Sequence, residues 1–146
     1  MRTDDDSLTI LLVEDDPGHA RLIEKNLRRN QVTNAIVTLH DGRQAVSYIF
    51  REDPFEHAPK PALVLLDLNL PKLNGYKVLE RMKGDERTRH IPVVVLTTTD
   101  DSREIQKCYD LGCNIYITKP VDYDQFTQAM HKIGMFLSIL QVPSGV

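Results

Sequence analysis

The segment PALVLLDLNLPKLNG (residues 61–75) places a carboxylate at the end of an apolar run. Residues 62–66 form the run, Asp67 follows it directly, and Asn69 and Pro71 come next in a stretch typical of a loop. A short apolar run of this kind predicts a strand that is covered on both faces of a sheet. An acid at the end of such a strand is costly to bury, so it needs either a partner or a chemical role.

Similar apolar runs recur along the chain. The predicted strands cover residues 8–13, 35–39, 62–66, 92–97 and 114–118. The segments between them have helical spacing, as at Ala20, Ile23 and Leu27, so strands and helices alternate. Gly112 is suited to ending the fourth helix. The predicted helix N-caps are Asp16, Asp41, Asp100 or Asp101, and Asp122.

This alternation predicts an α/β fold with a five-stranded parallel sheet in the order 2-1-3-4-5. Such a sheet is flavodoxin-like, a (βα)5 arrangement with helices on both faces. A chain of 146 residues has room for one domain, which we assign to residues 8–140 with an extended last helix. Residues 1–7 and 141–146 are expected to be tails. The functional site is expected at the carboxyl ends of the strands.

Composition argues against several classes of function. A formal net charge of -3 at pH 7 gives no broad basic field for nucleic acid. The polar, acidic start MRTDDDS does not resemble a signal peptide, and no apolar run approaches membrane-spanning length. We therefore predict a cytoplasmic protein with no nucleic-acid or membrane partner. Cys108 and Cys113 match no common zinc spacing and are predicted to be buried free thiols.

Acidic side chains are expected to gather at the carboxyl edge of the predicted sheet. Glu14, Asp15 and Asp16 end the first strand. Asp67 ends the third strand, which lies beside the first in the predicted order. Crowded carboxylates are unfavourable unless a cation neutralises them, and oxygen ligands favour Mg²⁺. Pro17 directly follows Asp16, which favours an N-cap over a fourth metal ligand at that position.

The fourth and fifth strands bring a hydroxyl and an ammonium to the same edge. Thr97 and Thr98 end the fourth strand, and Lys119, followed by Pro120, ends the fifth. A carboxylate can attack phosphorus to form an acyl phosphate, while a metal ion and a lysine stabilise the charge on the phosphoryl oxygens. Phosphorylation of Asp67 is therefore our interpretation of the acid at the end of the strand.

The chemistry is carried by four motifs in sequence order, which are LLVEDD, LLDLNLPKLNG, VVLTTT and YITKP. In this order and spacing they resemble the response regulator receiver domains of two-component signalling, over about residues 8 to 133 of this chain. The resemblance implies that Asp67 accepts a phosphoryl group from a phosphohistidine on a sensor histidine kinase. It also implies that Mg²⁺ is held by Glu14, Asp15, Asp67 and the backbone carbonyl of Asn69.

The same resemblance implies roles for residues that end the fourth and fifth strands. Thr97 would hydrogen-bond the phosphoryl group, Lys119 would pair with it, and Tyr116 would be the aromatic residue that turns inward on activation. Lys119–Pro120 would be a cis peptide bond. Thr98 departs from the family pattern, which usually has a smaller residue there. If Thr98 narrows access to Asp67, the rates of transfer and hydrolysis would differ from the norm.

The resemblance also predicts how the signal leaves the domain. No effector domain follows in this sequence, so output is expected through the surface of helix four, strand five and helix five. The last helix has an apolar stripe that is either a homodimer contact at this face or extra core. The stripe consists of Phe126, Met130, Ile133, Phe136, Leu137 and Leu140.

Two longer segments narrow the resemblance further. DLNLPKLNGYKVLERMK and PVVVLTTTDD, with the proline-containing connection at residues 50–61, resemble stand-alone receivers paired with bacterial and cyanobacterial phytochrome kinases. Arg21, Lys25 and Arg28 share one face of the first helix, which is either a kinase docking site or an ordinary solvated face.

Two other functions compete with a phosphorylated signalling switch. A Mg²⁺-dependent phosphohydrolase of the haloacid dehalogenase type would need a second acid two residues after its nucleophile, and Asn69 stands there and cannot titrate. A binding module that keeps the fold without phosphorylation is disfavoured by the intact site. We therefore predict a phosphoacceptor that catalyses only its own phosphorylation and dephosphorylation, and not an enzyme with a separate substrate.

Overall fold

The computed structural model describes residues 8–119 and 127–135. Its strands are β1 (Thr9–Val13), β2 (Ile36–Leu39), β3 (Pro61–Leu66), β4 (Val93–Thr97) and β5 (Ile115–Thr118). Its helices are α1 (Pro17–Arg29), α2 (Gly42–Ile49), α3 (Gly75–Lys83), α4 (Ser102–Leu111) and α5 (residues 127–135). The strands pair in parallel in the order β2-β1-β3-β4-β5. The predicted fold class and strand order are confirmed.

The unbroken apolar runs are explained by two cores, one on each face of the sheet. Along β3, Leu63 and Leu65 belong to one core and Val64 and Leu66 to the other, because successive side chains point to opposite faces. One core is closed by α1 and α5 and the other by α2, α3 and α4. The central strands β1, β3 and β4 therefore have no solvent face on which a polar residue would be favoured.

Side-chain caps start the helices, largely as predicted. The carboxylates of Asp16, Asp41 and Asp101 accept backbone N–H groups at the starts of α1, α2 and α4. For α4 the cap is therefore Asp101 and not Asp100. The start of α3 is capped by Asn74, a position that the sequence analysis did not single out.

The end of α4 also follows the prediction, whereas the cap of the last helix is not described. Gly112 ends α4 in the left-handed region, with φ at 106°. That backbone conformation favours glycine because it has no Cβ. Asp122, the predicted cap of the last helix, lies outside the described residues.

The predicted apolar stripe on the last helix divides into core residues and residues that are not described. Met130 and Ile133 are buried in the core beside α1, so extra core is the correct reading for these two. Phe126, Phe136, Leu137 and Leu140 lie outside the described residues.

The connection at residues 50–61 packs against the domain through aromatic rings. Phe55 stacks at a tilt on Tyr48 of α2, with ring centroids 5.3 Å apart. The Arg87 guanidinium lies over Phe50 at 5.2 Å from the ring centroid.

Within residues 8–119 and 127–135, no helix is long and apolar enough to cross a membrane.

The start of α3 touches the backbone that carries Asp67. Gly75 donates its N–H to the Leu68 carbonyl at 2.9 Å. A Cβ on Gly75 would lie 2.3 Å from the Asp67 carbonyl oxygen and 2.7 Å from Leu68 Cα. Both are backbone atoms, which cannot move aside as the end of a flexible side chain can. Gly75 is therefore required for α3 to pass this close to the end of β3.

We predict that Gly75→Ala lowers the free energy of unfolding by about 1 to 3 kcal/mol, because its methyl group overlaps fixed backbone. Gly84→Ala, at the other end of α3, is the matched control. Its Cβ would lie 3.1 Å from the Glu80 carbonyl oxygen, so we expect a change within about 1 kcal/mol. Urea unfolding followed by circular dichroism measures both, and equal effects would contradict the close approach.

Candidate functional site

Three carboxylates meet at the carboxyl edge of the sheet. Glu14 and Asp15 directly follow β1, and Asp67 directly follows the neighbouring strand β3. One oxygen from each side chain lies within 4.8 Å of the others. Glu14 and Asp67 are 1% and 6% exposed, whereas Asp15 is exposed to solvent. The predicted gathering of acids therefore occurs, with a buried pair and a solvent-facing third member.

The Lys119 ammonium lies between the two buried carboxylates. Its Nζ donates to Glu14 Oε1 and, at 3.1 Å, to Asp67 Oδ2. The Lys119 side chain is only 8% exposed, so this is a mostly buried charge cluster. Burial raises the pKa of Glu14, and the hydrogen bond and charge of Lys119 oppose that shift. Charges out of water require such pairing, which explains why lysine follows β5 at this edge.

Backbone groups hold the carboxylates in place. The Asp67 N–H donates to the Val13 carbonyl at 3.1 Å, which ties the end of β3 to the end of β1. The Asn69 N–H donates to Asp67 Oδ1 at 3.2 Å, and the Asp16 N–H donates to Glu14 Oε2 at 3.1 Å. The positions of the acids are therefore set by the sheet and by the first residues of the following loops.

Asp16 acts as a cap and not as a member of the acidic group. Its Oδ1 accepts the N–H groups of Gly18 at 2.8 Å and His19 at 3.1 Å, and these bonds help to hold its pKa below the usual range. Among the described residues, the acids that meet closely enough to share an ion are Glu14, Asp15 and Asp67. The favoured alternative for Asp16 is the one found.

Thr97, at the end of β4, carries a buried hydroxyl. The residue is 0% exposed, and Oγ1 has no hydrogen-bond partner among the described residues. Burial of a hydroxyl without a partner is unfavourable, so Thr97 Oγ1 is free to donate to a group that offers an acceptor at this edge. The next residue, Thr98, is exposed to solvent.

Tyr116 on β5 is connected to both ends of the segment that includes α4. Its hydroxyl donates to the Thr99 carbonyl at 2.6 Å, and its backbone N–H donates to the Tyr109 hydroxyl at 3.1 Å. Burial raises the pKa of Tyr116 to about 12, so the phenol remains a donor at neutral pH. The ring is partly buried and packs against the core beneath α4. Tyr116 is therefore hydrogen-bonded to the loop that starts after Thr97.

Several contacts at the site were not foreseen from the sequence. His19 Nδ1 lies 3.4 Å from Lys119 Nζ, and His40 Nδ1 lies 2.9 Å from the Glu14 carbonyl oxygen. The Thr99 carbonyl was likewise missed as the acceptor for Tyr116. His19 had one usable signal, since it lies on the first turn of a helix that begins at the acidic edge.

The basic face of α1 is not uniform. Arg21, Lys25 and Arg28 are all exposed, as a docking or solvated face requires. Arg28 also donates through Nη1 to the carbonyls of Val32, at 2.9 Å, and Asn34, at 2.7 Å. Its guanidinium therefore closes the turn after α1, which gives this residue a structural role.

The two cysteines are free and buried, as predicted. Burial raises the pKa of Cys108 and of Cys113 to about 11. Thiols with a raised pKa are poor nucleophiles and poor metal ligands, because the thiolate is the reactive form. The Cys108 and Cys113 side chains therefore serve the core.

The residues at the acidic edge fit a hard divalent cation. Their donors are carboxylate oxygens, which Mg²⁺ prefers, and the exposed Asp15 leaves one side open to the water molecules that this ion keeps. Asn69, the fourth predicted contributor, is exposed and follows Asp67 by two residues, with its N–H bonded to the Asp67 carboxylate. The described residues thus include a cluster of carboxylate donors suited to a divalent cation.

Comparison with known proteins identifies the family of this arrangement. A family model described as "Response regulator receiver domain" matches residues 10–131. A solved response regulator receiver domain from Rhodospirillum rubrum is 54% identical, with a TM-score of 0.83, and the alignment covers 93% of this chain and 97% of that one.

Two further relatives are response regulators by name, and one of them is named for a cyanobacterial phytochrome. The phosphorylated cyanobacterial phytochrome response regulator RcpA is 41% identical, with a TM-score of 0.85 and coverage of 94% and 99% of the two chains. Response regulator Rcp1 of Synechocystis sp. (strain ATCC 27184 / PCC 6803 / Kazusa) is 39% identical over 110 residues, 75% of each chain. Its Mn²⁺-bound structure has a TM-score of 0.84 at 34% identity, covering 94% and 97% of the two chains.

We predict that Thr97→Val leaves the free energy of unfolding unchanged or raises it by up to about 1 kcal/mol, because the lost hydroxyl makes no hydrogen bond. Thr88→Val is the matched control, since the Thr88 hydroxyl is also buried but donates to the Met82 carbonyl at 2.7 Å. Loss of the Thr88 hydroxyl should lower the free energy of unfolding by about 1 to 2 kcal/mol. Urea titration of both variants measures the difference, and equal losses would show that Thr97 Oγ1 is structurally bonded.

Proposed function

This chain belongs to the family of response regulator receiver domains, and on that premise we propose that Asp67 is its phosphoacceptor. The observation that carries the proposal is the placement of the Asp67 carboxylate 3.1 Å from the buried Lys119 ammonium, beside Glu14 and Asp15. A buried carboxylate held between a cation site and an ammonium is suited to nucleophilic attack on a phosphoryl group.

The donor in this proposal is a phosphohistidine of a sensor histidine kinase. An Asp67 carboxylate oxygen forms the new bond to phosphorus while the phosphorus–nitrogen bond breaks, and the electron pair of that bond stays with the kinase imidazole. Lys119 donates to an oxygen of the transferred group, where negative charge is concentrated. Transfer of the group to water reverses the charge change at Asp67 and returns the switch to its resting state.

Mg²⁺ is the proposed cofactor, held by Glu14, Asp15, Asp67 and the carbonyl of Asn69. When bound, it supplies positive charge to the phosphoryl oxygens and lowers the repulsion between them and the attacking carboxylate. Support comes from the oxygen-only donor set within the described residues and from the Mn²⁺-bound structure of the relative Rcp1.

The switch in this proposal runs from Thr97 to Tyr116. A phosphoryl group on Asp67 offers an acceptor to the Thr97 hydroxyl, which has none among the described residues. Movement of Thr97 toward that group displaces the loop that follows it, including the Thr99 carbonyl to which the Tyr116 hydroxyl is bonded. Loss of that bond would free the Tyr116 ring to turn inward. Lys119–Pro120, whose bond was expected to be cis, extends beyond the described residues.

The competing functions have less support. A dehalogenase-type phosphohydrolase lacks its acid, because the residue two after Asp67 is Asn69 and its N–H is engaged with the Asp67 carboxylate. A binding module without phosphorylation would not need a buried Lys119 between two acids.

We propose that the chain has no separate substrate and acts from the cytoplasm, where a sensor kinase presents its phosphohistidine. Thr98 is exposed, and its effect on access to Asp67 stays a prediction.

The proposed kinase is of the phytochrome type. The support is the similarity to RcpA, which is named as a cyanobacterial phytochrome response regulator. Arg21 and Lys25, which are exposed on α1, are the residues proposed for kinase docking, while Arg28, also exposed, bonds the carbonyls that close a turn.

A homodimer through α4, β5 and α5 is the proposed output contact. Support comes from β5, which is the edge strand of the sheet and carries partly exposed apolar side chains at Ile115 and Ile117. An edge strand with apolar side chains favours association unless something covers it.

Phosphorylation of Asp67 is tested by intact-mass analysis after incubation with Mg²⁺ and acetyl phosphate. We expect a single phosphoryl adduct on the wild-type chain, no adduct on Asp67→Asn, and loss of the adduct when a chelator removes Mg²⁺. Asp110→Asn on the distal end of α4 is the matched carboxylate control and should label normally. A purified phytochrome kinase as donor then tests the partner. Labelling of Asp67→Asn at the wild-type level would overturn the assignment.

Sedimentation velocity over a range of concentrations tests the homodimer, with and without beryllofluoride as a mimic of the phosphoryl group. We expect a dimer whose fraction rises with protein concentration, because the edge strand β5 carries partly exposed apolar side chains. Asp67→Asn, which cannot hold the mimic, separates an effect of phosphorylation from one of concentration. A monomer at every concentration, in both states, would contradict this output contact.

A further inference from the structure

His19 lies at the entrance of the acidic site and has no part in the function proposed above. It lies on the first turn of α1, and its N–H donates to the Asp16 carboxylate at 3.1 Å, which holds the residue in place. Its side chain is 47% exposed, with Nδ1 at 3.4 Å from Lys119 Nζ and 4.0 Å from Glu14 Oε2. One edge of the imidazole therefore faces the lysine that is expected to bind the phosphoryl group.

The chemistry of the two groups determines the direction of this contact. An ammonium has three N–H donors and no acceptor, so a hydrogen bond between Lys119 and His19 requires Nδ1 to accept and the ring proton to be on Nε2. The three protons of Lys119 then have three partners, which are Glu14, Asp67 and His19. The distance of 3.4 Å between Nζ and Nδ1 is long for a hydrogen bond, whereas the contacts with Glu14 and Asp67 are shorter.

Two partners compete for the Glu14 carboxylate, which are Lys119 and a divalent cation. Its carboxylate bonds Lys119 in the structure, and the same carboxylate is a member of the group suited to a divalent cation. A Glu14 that is engaged by a cation has less charge to offer Lys119. The lysine side chain is flexible over four carbons, so an ammonium that loses one of its acceptors would be less well placed over Asp67.

We propose that His19 is a positioning residue, which keeps the Lys119 ammonium over the phosphoryl group on Asp67 when Glu14 is engaged by a divalent cation. This inference rests on the function proposed above. An accepting ring nitrogen can take this place because it carries no negative charge that would attract the cation as a further carboxylate would. The Asp16 cap holds the His19 backbone on the first turn of α1, so the imidazole starts from a fixed point beside Lys119 when Glu14 is withdrawn.

An ordinary solvated histidine and a metal ligand are the two alternatives. A solvated side chain would not need to face a lysine that is almost fully buried. A metal ligand would be expected within the group whose oxygens lie within 4.8 Å of one another, and among the described residues that group contains Glu14, Asp15 and Asp67 without His19.

His19→Asn and His19→Leu form a matched pair for the test. The Asn side-chain oxygen can occupy the position of Nδ1 and accept from Lys119, whereas Leu has a similar size and no acceptor. Calorimetric titration with beryllofluoride, in saturating Mg²⁺ at about pH 8 where an ordinary imidazole is neutral, measures binding of the phosphoryl mimic. We expect His19→Asn to bind like the wild type and His19→Leu to bind about five- to tenfold more weakly.

Each other outcome has a distinct meaning. Equal binding by all three proteins, or equal weakening in both variants, would overturn the positioning role. Weaker binding of Mn²⁺ by both variants without beryllofluoride would overturn it in favour of an imidazole metal ligand. Urea unfolding of each variant excludes a general loss of stability. Failure of the wild type itself to bind beryllofluoride would instead reject the phosphoacceptor site, on which the inference rests.

Discussion

The pairing of one buried ammonium with two buried carboxylates is the interaction on which this molecule depends. Glu14, Asp67 and Lys119 come from three different strand ends, and each would be strongly unfavourable alone in the protein interior. The sheet brings them together because parallel strands place all their carboxyl ends at one edge. Stability and chemistry therefore share the same atoms, and a group that binds one member of the cluster must change the balance among the others.

The sheet could be predicted from the sequence because both of its faces are buried. The central strands then read as apolar runs, as in residues 62–66, and such runs are visible without any knowledge of contacts. Caps were predictable where an Asp precedes a helical pattern, as at Asp16 and Asp41. The Asn74 cap was missed because it lies within the loop that follows Asp67, where several polar residues could end a turn.

The members of the site could be predicted and their contacts could not. Residue type and position at a strand end identify Glu14, Asp67 and Lys119, since each strand end faces the same edge. The contact between His19 and Lys119 joins residues 100 apart in the chain, and it depends on the direction in which the first turn of α1 points its side chains. The bond from Tyr116 to Thr99 involves a backbone carbonyl, which no residue type reveals.

The two hydrogen bonds of Tyr116 have a mechanical consequence for α4. The Tyr116 hydroxyl donates to the carbonyl of Thr99, which lies just before α4. The Tyr116 backbone N–H donates to the hydroxyl of Tyr109, which lies in the last turns of α4. If the ring leaves Thr99 and the backbone contact persists, the first turn of α4 is released while the last turns remain anchored to β5. In that case α4 would rotate about its end at Tyr109. The displacement of α4 would be largest beside the acidic edge and would decrease toward Gly112. A partner that binds the start of α4 would therefore respond most strongly to phosphorylation.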